Sequence, residues 1–266
     1  MISFPLLKNE LKSIVKMLVI FMILLTLYIV IIVYMFDPKL TEMLKAFEEA
    51  MPGMMSAFGM VVTGTDLLSF LNSYLFGFLL LIFPMVFTIM LANRLVAKHV
   101  DSGSMVCILS SPNTRRKIVV TQISVMLICV FILILYSTVV AIITSEILFP
   151  GELKIKNYIL MNIGLFALHL TISGISFSAS CIFNETKNSY LFGAGIPIIF
   201  FLIKMLANMG DKLQNLKYAT IFSLLPADKI AAGDTEVFWQ ISALFLIAVC
   251  LYSAAAYIFM KKDMPI

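Results

Sequence analysis

The chain has 266 residues, of which 61% are hydrophobic and 13% charged, whereas soluble globular domains average roughly half apolar and about a quarter charged. That balance argues against a soluble fold. The formal charge of +4 is small and dispersed, which speaks against nucleic acid as a partner. Cys107, Cys129, Cys181 and Cys250 show no CxxC or paired spacing, so they read as small hydrophobes with neither disulfide nor metal site.

Residues 1–16 are too short and too charged to cross a bilayer. Leu7, Leu11, Ile14 and Leu18 nevertheless recur at helical spacing, with Lys8, Lys12 and Lys16 on a neighbouring face. Ser3 suits the cap and Pro5 the first turn. The expectation is an amphipathic helix lying in the cytoplasmic membrane interface, in contact with lipid head groups. A secretory signal peptide is the rival reading. The run from Met17 to Phe36 continues uncharged without a small-residue cleavage site, which favours a retained first span.

A hydrocarbon core of roughly 30 Å needs about 20 apolar residues in helix. On that measure the fold class is an all-α membrane protein, with one transmembrane domain over 17–263 and spans at about 17–36, 67–92, 118–144, 158–183, 188–207 and 237–260. The expected accessory elements are the N-terminal interfacial helix, a cytoplasmic helix in the loop 93–117, and short extracellular helices. Between Asp37 and Asp66, the residues Leu40, Met43, Leu44, Phe47 and Met51 share one helical face, and Pro52 and Gly53 end that pattern. Between the fifth and sixth spans, Thr220 to Pro226 is too short to cross and is expected as an interfacial or re-entrant helix.

Orientation follows from lysine and arginine. With both termini inside, cytosolic segments hold eleven of these residues and outer segments seven, and Arg94, Lys98 and Arg115 to Lys117 all fall in the loop 93–117. That loop is expected inside, in a multi-pass protein of the cell membrane. Lys204 lies within the fifth apolar run, about 25 Å along the helix from Asn188, where it can snorkel to the outer interface or contact an ion or substrate.

In the fourth span His169, Ser173, Ser176 and Ser180 are spaced 4, 3 and 4 apart and form a polar stripe. Polar side chains in hydrocarbon need partners, so this face meets other helices or a wet pathway. Pro84, Gly193, Gly195 and Pro197 mark bends whose freed backbone groups must find neighbours.

The search for chemistry finds little. HExxH, GxSxG and Walker A patterns are absent, and there are only two histidines, His99 and His169. If ATP drives this chain, another chain must bind it.

Asp101 to Ser110 has a turn-prone start, followed by Met105, Val106, Ile108 and Leu109, and then Ser111, Pro112 and Asn113 as a stop. It reads as a short amphipathic helix across the ends of two spans. Gly103-Ser104-Met105, Leu109-Ser110-Ser111-Pro112 and Arg115 resemble the cytoplasmic signature of type 2 ATP-binding-cassette (ABC) exporter permeases. This chain has Ser104 and Met105 where the family commonly has Thr and Leu, and His99 where an additional acidic residue is frequent. The resemblance extends to Leu224-Leu225-Pro226 and to the last span ending Phe259-Met260-Lys261-Lys262-Asp263.

That resemblance implies a permease that is not itself an enzyme and binds no cofactor. ATP and Mg would sit on separate ABC ATPase subunits, and a second permease copy, identical or not, would complete a dimer with the conduit between the copies. The ATPase would grip Asp101, Gly103, Met105, Ile108, Leu109, Pro112 and Arg115, with the turn at Asn184, Glu185 and Lys187 as a smaller contact. The cargo class would be an amphiphile such as a peptide, lipid or drug-like molecule. Two other classes stay open: an immunity or sensory membrane protein that binds a peptide without moving it, and an ion-coupled secondary transporter, for which His169 is nearly the sole ionisable group near mid-membrane.

Overall fold

Long apolar runs satisfy their backbone in lipid only by coiling into helices, and the described part of this chain is helical almost throughout. The computed structural model describes residues 2–37, 51–59, 64, 66–110, 113–209, 211–232, 234 and 237–262. Among the described residues the helices are, in chain order, α1 (Phe4–Tyr34), α2 (Pro52–Ala57), α3 (Leu67–Asp101), α4 (Met105–Leu109) and α5 (Arg115–Leu148). Then follow α6 (Ile155–Ile182), α7 (Thr186–Asn208), α8 (Ala227–Ala232) and α9 (Phe238–Lys261). Two 3-10 segments, Asp211–Ala219 and Ile221–Leu224, join α7 to α8. Among the described residues six helices, α1, α3, α5, α6, α7 and α9, are long and apolar enough to cross a membrane.

α6 is the central post. In its most apolar stretch 72% of residues are buried, against 28% for α1, 22% for α7 and 28% for α9. It packs against α3, α5, α7, α8 and α9, while α1 lies along α5. The outer helices turn bare apolar faces away from the bundle: Ile23 and Leu27 on α1, Leu191 and Ile199 on α7, Leu246 and Val249 on α9. Water would not tolerate so much contiguous apolar surface, whereas lipid does.

Several boundaries differ from the sequence reading. Residues 4–16 run into the first span as one unbroken helix, with Ser3 at its N-cap position. The Ser3 side chain makes no cap bond; its N–H instead donates to Thr121 Oγ1 on α5 at 2.9 Å. α3, which has a π-helical stretch at Asn72–Leu79, passes position 92 and continues to Asp101 through a second one at Asn93–Ala97. The fall in hydropathy at Asn93 and Arg94 therefore does not end the helix. Pro52 and Gly53 begin α2, as suits a proline in a first turn; the helix expected before them, over 40–50, lies outside the described residues. Thr220 to Pro226 forms a single 3-10 turn with Phe222 buried.

Candidate functional site

At one end of the bundle α3 and α5 are joined by an exposed hairpin. α3 terminates because Gly103 adopts φ +71°, a left-handed conformation that closes helices; Ser102 N–H and Gly103 N–H donate back to Lys98 O and Val100 O. Asp101 thus ends α3 instead of opening the next helix, and α4 is only Met105–Leu109. Thr114 caps α5 by accepting from Lys117 N–H at 3.3 Å.

The hairpin has two sides. Met105 is 2% exposed, and Ile108 and Leu109 are half-buried against the core. Asp101, Ser102, Gly103, Val106, Cys107 and Ser110 are exposed. Of the residues the sequence assigned here, Asp101 and Gly103 face out, while Met105 faces in. Pro112 and Ser111 lie outside the described residues. Arg115 donates to Lys262 O at the end of α9, at 2.7 Å, where a cation also suits the negative helix end. Lys262 in turn donates to Cys181 O at 3.0 Å. That chain of contacts gathers the ends of α5, α9 and α6, so the exposed turn of Asn184, Glu185 and Lys187 stands at the same end as the hairpin.

Behind the hairpin sits a polar knot the sequence reading missed. Glu10 on α1 is 5% exposed. Its Oε1 accepts from Gln122 Nε2 of α5 at 3.2 Å and lies 3.5 Å from His99 Nε2 at the end of α3. His99 Nδ1 pairs with Ser104 Oγ at 2.9 Å in the turn itself, and Arg94 donates to Ser13 O of α1 at 2.9 Å. A signal was present: Glu10 falls between Leu7 and Ile14 on the apolar face, whereas Lys8, Lys12 and Lys16 are exposed.

The stripe on α6 is fully buried, with His169, Ser173, Ser176 and Ser180 all at 0% exposure. Each bonds a different part of the surrounding bundle: His169 Nε2 meets Leu80 O of α3 at 2.8 Å, and Ser173 Oγ pairs with Tyr252 OH of α9 at 2.7 Å. Ser176 Oγ donates to Gly193 O of α7 at 2.7 Å, and Ser180 Oγ pairs with Ser189 Oγ at 3.0 Å. Two of these carbonyls are special. Pro84 and Pro197 lie inside helices and lack the N–H that would bond the carbonyl four residues back, which belongs to Leu80 and Gly193. Close approach at the second is permitted by glycine, since a Cβ on Gly193 would sit 3.3 Å from Ser176 Cα.

Six apolar helices, one of them a hydrogen-bonded central post, with a clamped polar hairpin at one end, define a multi-pass membrane protein. The family model described as ABC-2 family transporter protein matches residues 4–264. The chain therefore belongs to the ABC-2 family, as the membrane permease component of an ABC transporter and not its catalytic subunit. Membership implies an ABC ATPase partner. The search of curated proteins found no match.

Proposed function

We propose that the chain is the permease subunit of an ATP-driven exporter that moves an amphiphilic substrate outward, driven by a separate ATPase acting on the segment 101–110. The observation that carries this reading is the two-sided hairpin: an exposed strip of Asp101, Ser102, Gly103, Val106, Cys107 and Ser110 on a turn whose other side is held by buried Met105 and by His99, itself beside Glu10. A partner gripping the strip moves α3 and α5 as levers, because packed helices transmit displacement as rigid bodies. Coupling requires the strip to bind differently in the two nucleotide states, since a contact of equal strength in both transmits nothing.

In this reading the hairpin, both termini and the Asn184–Lys187 turn face the cytosol, following the excess of Lys and Arg at that end. The exposed Lys8, Lys12 and Lys16 rest among anionic head groups. Asn184, Glu185 and Lys187 make the smaller ATPase contact, Mg and ATP sit in the ATPase, and a second permease copy completes the conduit. The test uses the ATPase that co-purifies with the chain. Val106→Asp and Cys107→Asp should abolish stimulation of its ATP hydrolysis by the permease while leaving the permease folded; full stimulation in both would refute the hairpin as the driven element.

A further inference from the structure

At the opposite end of the bundle a cavity of about 130 Å3 opens between α3, α7, the Ile221–Leu224 turn and α8. Its polar lining is Asn72, Lys204, Asn208 and Asp228. Gly77, also in its wall, stands twenty-four residues before Asp101, where α3 meets the hairpin, which is about 36 Å of helix and somewhat more than one hydrocarbon thickness. The cavity therefore sits at a membrane–water boundary.

Two opposite charges face this cavity without meeting. Lys204 Nζ donates to Gly77 O at 3.1 Å, which uses one of the three donors of an ammonium. Asp228 Oδ1 accepts from Asn72 Nδ2 at 2.6 Å. Among the described residues the ion pairs within 4.0 Å are Glu10–His99 and Asp66–Lys154, so Lys204 and Asp228 are held apart across the space. Of the two, Lys204 is the charge on a spanning helix, where a charge without an opposite partner is costly, and an anionic group at its ammonium offsets that cost. Their order matters as well. Lys204 belongs to a spanning helix, whereas Asp228 is exposed on α8 outside the apolar spans. A phospholipid presents its phosphate nearer the acyl chains and any head-group ammonium farther out, in the same order.

We propose that this cavity binds the head group of an ethanolamine phospholipid, with the phosphodiester at Lys204 and the primary ammonium at Asp228. The assignment of leaflet rests on the orientation proposed above; the site itself does not, and ATP hydrolysis plays no part in its readout.

The full-length chain is reconstituted in nanodiscs containing ethanolamine, choline and glycerol phospholipids of matched chains, and the lipid retained after stepwise delipidation is measured by native mass spectrometry. Retention of the ethanolamine lipid should exceed that of the choline lipid by about tenfold, the worth of one charge-assisted hydrogen bond that a trimethylated nitrogen cannot donate. Asp228→Asn, at an exposed position, should bring the two lipids within about twofold of each other, and Lys204→Met should lose both. Equal retention by the unmodified chain, or a preference that persists in Asp228→Asn, overturns the proposal. Free glycine offers the same pair of charges from solution: thermal stabilisation by millimolar glycine that Asp228→Asn removes, without any lipid preference, would also overturn it in favour of a soluble zwitterion.

Discussion

Ser176 Oγ donates to Gly193 O at 2.7 Å, and Gly193 carries the carbonyl that Pro197 leaves without its helical donor. Seven residues earlier on the same face of α6, His169 does the same for Leu80 O at 2.8 Å, four residues before Pro84. In that bond the hydrogen is on Nε2, because a carbonyl only accepts. The central helix thus supplies a donor at a proline gap in each of two neighbours.

A double-mutant cycle tests this repair. Ser176→Ala should destabilise the bundle by about 0.6 kcal/mol, the average for hydrogen bonds between membrane helices, and by no more than about 1.7 kcal/mol, the largest such value. Pro197→Ala restores an N–H for Gly193 O, so Ser176→Ala should cost markedly less in that background. His169→Leu and Pro84→Ala should behave in the same way. Additive effects in unfolding assays of the detergent-solubilised chain would show that serine and proline are uncoupled.

How far the sequence carries is plain from these residues. Pro84, Pro197 and the stripe were each legible as backbone gaps or polar groups in need of partners, since that need is local chemistry. Which gap met which side chain was not, because it depends on how α3, α6 and α7 dock. The six spans were legible from uncharged length alone. The extension of α3 to Asp101 was not, as Asn93, Arg94 and Lys98 look like a loop until α1 and α5 are seen beside them. Likewise Met105 was read as part of the gripping surface: a five-residue helix is too short for periodicity to tell its inner side from its outer one.

Met105 and Val106 should therefore respond differently. Met105→Asp places a carboxylate in a site 2% exposed and should lower the amount of folded chain recovered, by a mechanism that needs no ATPase. Val106→Asp should leave recovery and melting temperature unchanged. Size-exclusion profiles of the two variants, expressed without any partner, check the contrast.

Glu10 should matter more than its place in a lysine-rich segment suggests. Glu10→Ala removes the acceptor for Gln122 Nε2 and the carboxylate beside His99, and leaving buried polar groups without partners costs about 1–3 kcal/mol. Lys8→Ala and Lys12→Ala, at exposed positions, should stay within about 0.5 kcal/mol of the unmodified chain. Chemical unfolding of the three variants checks the ranking.

At the other end, Asp66 and Lys154 form a 3.2 Å ion pair that ties the start of α3 to the approach of α6. Partial burial raises the Asp66 carboxyl, but bonds from Ser69 and Lys154 outweigh it and hold the group below the usual carboxylate range. A carboxyl depressed in the folded state adds stability above its unfolded value of about 3.9 and loses it as pH falls through the folded value. The pair is largely exposed, so its worth is small, about 0.2–1 kcal/mol. Asp66→Asn should melt slightly below the unmodified chain at neutral pH, and the gap should close in acid.

Cys107 offers the most direct test of the hairpin as the driven element, because it is exposed on the hairpin while Cys129 and Cys181 are buried and Cys250 lies on the apolar span α9. A membrane-impermeant maleimide, which needs a water-reachable thiolate, should label the chain in inside-out vesicles and not in intact cells. Cys107→Ser should remove the label, and bound ATPase should protect it. Labelling of Cys107 from outside intact cells, or undiminished labelling in the assembled complex, would contradict the account.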